Sequence, residues 1–166
     1  MAFASLDPDL KTHVVDIVKA RLGRIPRRGG QLQHSWPYPT YVVFTPSLTP
    51  EHVGWEVIAF DGDEPMAMVE IAEREGELRW VNSASGSLPR ALAAAMHEAE
   101  QVDPDGTMDF GLIKAPQAGL FLLWLDNGLF IPLRTPHLRN QLPDGPLDEA
   151  GLRQVIERIL RTDVGV

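Results

Sequence analysis

The sequence predicts an α+β fold in which an antiparallel sheet of six to seven strands, a meander plus hairpins, packs with three helices. Three observations carry this expectation. Apolar residues recur at helical spacing in only three stretches, each opened by a capping residue or a proline. Between them, period-two runs are separated by tight-turn chemistry. The order that results is one helix, four strands, one helix, three strands and one helix. Runs of strands set apart from helices argue for antiparallel pairing and against a chain of βαβ units.

Asp7-Pro8 pairs an N-cap with a first-turn proline, and Leu10, Val14, Ile17, Val18 and Leu22 then form an apolar stripe, so residues 8–22 read as an amphipathic helix that Gly23 ends. Residues 23–40 hold Gly23, Pro26, Gly29, Gly30, Pro37 and Pro39, and read as a long irregular loop before a strand over 40–45. From Val53, Trp55, Val57 and Ala59 alternate against Glu56, Ile58 and Phe60. Turns at Asp61–Pro65 and Glu75-Gly76 extend this strand into a meander with strands over 66–73 and 77–82.

The small-residue loop 82–87 leads to Pro89 and an alanine-rich helix over 88–100. Strands over 108–113 and 120–125 follow, and Asn127-Gly128 between apolar runs predicts a two-residue type I′ hairpin. Asp148 then caps a last helix striped by Leu152, Val155, Ile156, Ile159 and Leu160, with Leu147 and Leu152 placed as a hydrophobic staple. A similar alternation of elements occurs in profilin-like and roadblock-like domains and in the secretion-chaperone class of small acidic dimers. The similarity is one of element order, with no shared motif, so no function follows from it.

With 166 residues, 44% of them hydrophobic, the chain has enough apolar material for one core and is expected to be a single domain. No apolar run reaches the roughly 20 residues a membrane-spanning helix needs, and the N-terminus lacks an export signal, so a cytoplasmic protein is expected. There are no cysteines, which removes thiol nucleophiles, disulfides and cysteine-ligated metals. The net charge of -8 argues against general affinity for nucleic acid or anionic membranes. Residues 1–34 carry six basic and three acidic groups, 35–110 carry three and fourteen, and 111–166 carry six of each. The acidity therefore belongs to the middle of the chain.

Several constellations bear on function. Arg24, Arg27 and Arg28, with Arg21, form a basic stretch that could clamp an anion, or could instead complement a helix C-terminus and pair with the acidic meander. It lacks the spacing of a phosphate-binding loop. Trp36 and Tyr38 alternate with Pro37 and Pro39, an extended strip suited either to anchoring a partner or to covering the chain's own core. His13, His34, His52, His97 and His137 show no metal-ligand spacing. Ser83, Ser85 and Ser87 lack the nucleophile-elbow sequence, and Asp103, Asp105 and Asp109 suit a turn better than a calcium loop. Asp61, Asp63 and Glu64 read as solvated turn residues. Leu120–Leu125 is apolar on both alternations, so both sheet faces need cover, from the chain's own helices or from a second copy.

The sequence therefore points to a non-catalytic, self-associating protein-binding module of adaptor, chaperone or inhibitor type, without cofactor or metal. Its partner would meet Trp36, Tyr38, Glu51, Asp61, Asp63 and Glu64. The alternative is a small-molecule or anion-binding domain, or an enzyme, in which Arg24, Arg27 and Arg28 hold the ligand and His34 or His137 moves a proton.

Overall fold

The computed structural model describes residues 3–5, 7–22, 32–35, 37–138 and 140–164. Helix α1 spans Pro8–Leu22 and starts as its cap predicts: the Asp9 N–H donates to Asp7 Oδ1 at 2.9 Å and the Lys11 N–H to the Asp7 carbonyl at 2.9 Å. The strands are β1 (Leu32–His34), β2 (Tyr38–Val42), β3 (Glu51–Asp61), β4 (Glu64–Arg74), β5 (Glu77–Ser85), β6 (Phe110–Ala115), β7 (Leu120–Leu125) and β8 (Phe130–Pro132). Helix α2 (Ser87–Val102) separates β5 from β6, and α3 (Glu149–Val164) closes the chain.

All eight strands join one sheet, ordered β5-β4-β3-β2-β6-β7-β8, with β1 also paired to β3. Two features differ from the expected arrangement. Residues 32–34 and 38–40, read as loop, are strand: 32–34 pair with Ala59–Asp61 of β3, and in β2 Pro39 stands one position before the β6 ladder begins at Thr40, so its missing N–H breaks no bond there. The sheet is mostly antiparallel, but β2 and β6 pair in parallel, Thr40 against Leu112 and Val42 against Lys114. The excursion through the meander and α2 supplies the long connection that a parallel neighbour needs.

The helices divide between the faces. Val14, Val18 and Leu22 of α1 pack with Trp55, Val57, Val69 and Ile71, while Leu152, Val155, Ile156 and Ile159 of α3 pack with Tyr41, Ile113, Leu122 and Trp124 on the same face. Leu92, Ala95 and Ala99 of α2 cover Ile58, Met68, Leu112, Leu123 and Leu125 on the other. Both alternations of β7 are thus met by the chain's own helices, which removes the reason the sequence offered for a second copy there. The staple and cap of α3 form as expected, with the Gly151 N–H on Asp148 Oδ1 at 2.7 Å and both Leu147 and Leu152 buried.

The hairpin turns correct one expectation. At Asn127-Gly128 only the glycine has positive φ, 88°. The Leu125 N–H bonds the Leu129 carbonyl at 2.9 Å and the Gly128 N–H bonds the Leu125 carbonyl at 3.0 Å, a three-residue turn with a glycine bulge and not type I′. Asn127 favours it by accepting the Leu129 N–H on Oδ1 at 3.0 Å. The two-residue turn with both φ positive is Glu75-Gly76, at 52° and 79°, between the paired Arg74 and Glu77.

Candidate functional site

Helix α2 covers only one half of its sheet face. Its apolar side chains meet the half that holds Ile58, Met68, Leu112 and Leu125. Toward the Glu51 end of β3 the same face is left open among the described residues. Strand alternation puts Val42, Lys114 and Phe121 there, with Val42 half-buried and Phe121 half-buried against the edge of the α2 cluster, and Phe44, two residues beyond the end of β2, is 50% exposed. The face is low at Gly54, where any side chain would run into the Ile71 carbonyl, and at Ala72 opposite it.

A cluster of three charges lies at the inner edge of this open half. Glu56 and Glu70 are directly opposed on β3 and β4, and Lys114 reaches across β2 to both, its Nζ 3.0 Å from Glu56 Oε1 and 2.6 Å from Glu70 Oε1. The ammonium also lies 4.9 Å from the centre of the Phe121 ring, a cation–π contact. Glu56 is 2% exposed. The Lys114 and Glu70 side chains keep 14% and 28% exposure. Burial raises the Glu56 carboxyl to about 7 despite the opposing charge and hydrogen bond of Lys114, and the negative charge of Glu70 adds to the rise. On β2, between Glu56 and Lys114, Thr40 is fully buried and its hydroxyl has no hydrogen-bond partner.

This cluster was not among the residues singled out from the sequence, yet a signal for it was present. Glu56 alternates with Ile58 and Phe60, Glu70 with Met68, and Lys114 with Leu112, so each is a charge set beside apolar residues on its strand face. Buried charges must be paired, and residues of both signs on such faces are natural partners.

The predicted partner-binding residues do not form one patch. Asp61, Asp63 and Glu64 lie at the β3–β4 turn, whereas Glu51 is at the opposite end of β3, paired with Val42 on the open half. Tyr38 is half-buried and stacks on Phe110 with ring centres 4.8 Å apart, and burial lifts its phenol above the usual range. Trp36, Arg24, Arg27 and Arg28 lie outside the described residues. Arg21 holds its guanidinium 4.2 Å over the Trp80 ring on β5.

The two histidines of the alternative reading sit at opposite ends of the sheet. His34 pairs with Ala59, with its Nδ1 3.0 Å from the Ser35 carbonyl, while His137 lies beside Gly119, with its Nδ1 3.1 Å from the Thr135 hydroxyl. A groove of about 580 Å³ between α3 and the preceding loop carries Arg158 and Arg161. Both are engaged, Arg158 donating to the Gln141 carbonyl at 2.9 Å and Arg161 lying 3.8 Å from Glu157. Asp103 serves a turn, accepting the Met108 N–H at 2.8 Å and the Thr107 hydroxyl at 3.3 Å, and the Met108 bond leads in holding its carboxyl below the usual range. Ser87 is the first residue of α2, behind an uncapped Gly86. Among the described residues no group of three or more His, Asp or Glu is placed to hold a metal ion, and no helix is long and apolar enough to cross a membrane. Comparisons of this chain with protein-family models, curated proteins and solved structures give no match.

Proposed function

We propose that the chain is a non-catalytic protein-binding module whose partner seats on the open half of the α2 face. The observation that carries this reading is Phe44, the most exposed large apolar side chain among the described residues, two positions after half-buried Val42, which pairs with Lys114, itself paired with half-buried Phe121. A single exposed apolar residue is ordinary, but one at the end of a strand whose face carries two half-buried apolar side chains and a largely desolvated charge cluster has the composition of an interface centre. The surface is open and shallow, and suits a polypeptide better than an enclosed small molecule. An adaptor, chaperone or inhibitor role in the cytosol fits such a surface.

The test is site-specific photo-crosslinking in the native cell, with a benzophenone amino acid replacing Phe44 or, as a control on the α3 face, Arg161. The reading expects a discrete adduct from position 44 and none from 161, with the crosslinked protein binding the purified wild-type chain and failing to bind Phe44→Glu. Adducts from 161 alone, or unaltered binding by Phe44→Glu, would overturn it.

A further inference from the structure

We infer that the open half of the α2 face recognises a basic side chain, lysine or arginine, flanked by apolar residues in an extended segment of a protein partner. The inference deepens the protein-binding reading and rests on it. It starts from charge. Three carboxylates, Glu51, Glu56 and Glu70, lie on this part of the face, and Lys114 is the cation set among them. Lys114 Nζ engages one oxygen of each of Glu56 and Glu70, namely Oε1 in both. Each carboxylate has two oxygens and can accept more than one hydrogen bond.

Position decides where a second cation would sit. Glu56 is 2% exposed and faces inward, whereas the Glu70 side chain keeps 28% exposure at the margin of the open half. A guanidinium or ammonium arriving from solvent therefore meets Glu70 first, with Glu51 on the same part of the face, in a region where partial burial strengthens the attraction. Beneath, the buried Thr40 hydroxyl without a partner is a polar group that the chain's own side chains leave unsatisfied.

The apolar requirement follows from the rim. Val42 on β2 and Phe121 on β7 are the two cross-strand neighbours of Lys114, and Phe44 follows two residues beyond the end of β2. A basic residue reaching Glu70 would bring its neighbours over these side chains, so apolar neighbours bury area that polar ones would leave wet. An acidic segment is disfavoured twice, by repulsion from the carboxylates and by desolvation of its own charge.

The experiment is an amide NMR titration of the full chain with three blocked tripeptides, acetyl-Phe-Arg-Val-amide, acetyl-Phe-Glu-Val-amide and acetyl-Ser-Arg-Ser-amide, each to about 5 mM, which detects weak complexes. The arginine peptide with apolar flanks should shift residues 42–44, 70, 114 and 121, with the acidic and serine-flanked peptides roughly ten-fold weaker or silent. Glu70→Gln should abolish the preference for arginine over glutamate, and Glu70→Asp should retain part of it, both with otherwise unchanged amide spectra. Equal binding of acidic and basic peptides, no binding by any, shifts elsewhere on the chain, or an undiminished preference in Glu70→Gln would each overturn the inference. If that happened while position 44 still crosslinked a partner, only the charge preference would fall. Loss of the crosslink would remove the reading beneath it.

Discussion

Glu56 and Glu70 face each other directly across β3 and β4, two carboxylates in a position where like charges repel, and the Lys114 ammonium holds both. The cation offsets the repulsion between a buried acid and its partly exposed neighbour. Their stability is therefore hostage to one residue on a strand that pairs with neither β3 nor β4.

Replacing Lys114 with methionine keeps the stem and removes the charge. Breaking a buried ion pair from one side leaves uncompensated charge, so Lys114→Met should cost about 3 kcal/mol in urea unfolding at pH 8. The cost should shrink at pH 5, where Glu56 holds a proton. An equal cost at both values would mean that the methylene packing of Lys114, not its charge, sets the effect.

The raised Glu56 carboxyl fixes the sign of a pH dependence. Between its ordinary value of 4.5 and about 7, the folded chain keeps a proton that the unfolded chain has lost. The contribution of this group to stability is thus fully present below 4.5, fades as pH rises through 7, and is flat above. Between pH 5 and pH 8 the wild type should lose about 2–3 kcal/mol more than Glu56→Gln does. Parallel stability profiles for the two proteins would contradict the assignment.

The two turns should respond in opposite directions. Glu75 holds a positive φ of 52°, so Glu75→Gly should stabilise by about 1 kcal/mol by relieving a left-handed side-chain clash. Gly128→Val should destabilise by at least about 1 kcal/mol, since a β-branched residue resists its φ of 88°. Thermal unfolding of the two variants checks both, and a stabilising Gly128→Val would refute the bulged turn.

Truncation after Pro146 should abolish cooperative unfolding, because Leu152, Val155, Ile156 and Ile159 of α3 cover one half of the face that α1 leaves bare. Retention of a dispersed amide spectrum without α3 would show that this core is dispensable.

Element existence was legible wherever a local signal determined the outcome. The caps at Asp7 and Asp148, the period-two run from Val53 to Phe60 and the stripe of α3 each follow from contacts within a few residues. What escaped depends on distant parts of the chain. Leu32–His34 is a strand because Ala59–Asp61 offers it an edge, and β2 meets β6 in parallel because α2 carries the chain across the sheet. Asn127-Gly128 shows a local signal fitting two turns, chosen between by an asparagine oxygen bonding the Leu129 N–H. For the site, strand alternation exposed three charges on apolar faces, but only the assembled sheet puts Lys114 beside Glu56 and Glu70.

The parallel contact of β2 with β6 also has a kinetic meaning. The meander β3–β5 and the hairpins β6–β8 can each form from neighbouring segments, whereas Thr40 and Leu112 must find each other from 72 positions apart. The ion cluster straddles this joint, with Glu56 and Glu70 in one assembly and Lys114 in the other. A slip of one residue at the joint would turn Lys114 to the α1–α3 face and strand two acids without their cation. A mispaired joint would therefore forfeit both ion pairs, so the charge arrangement favours the native register of β2 against β6.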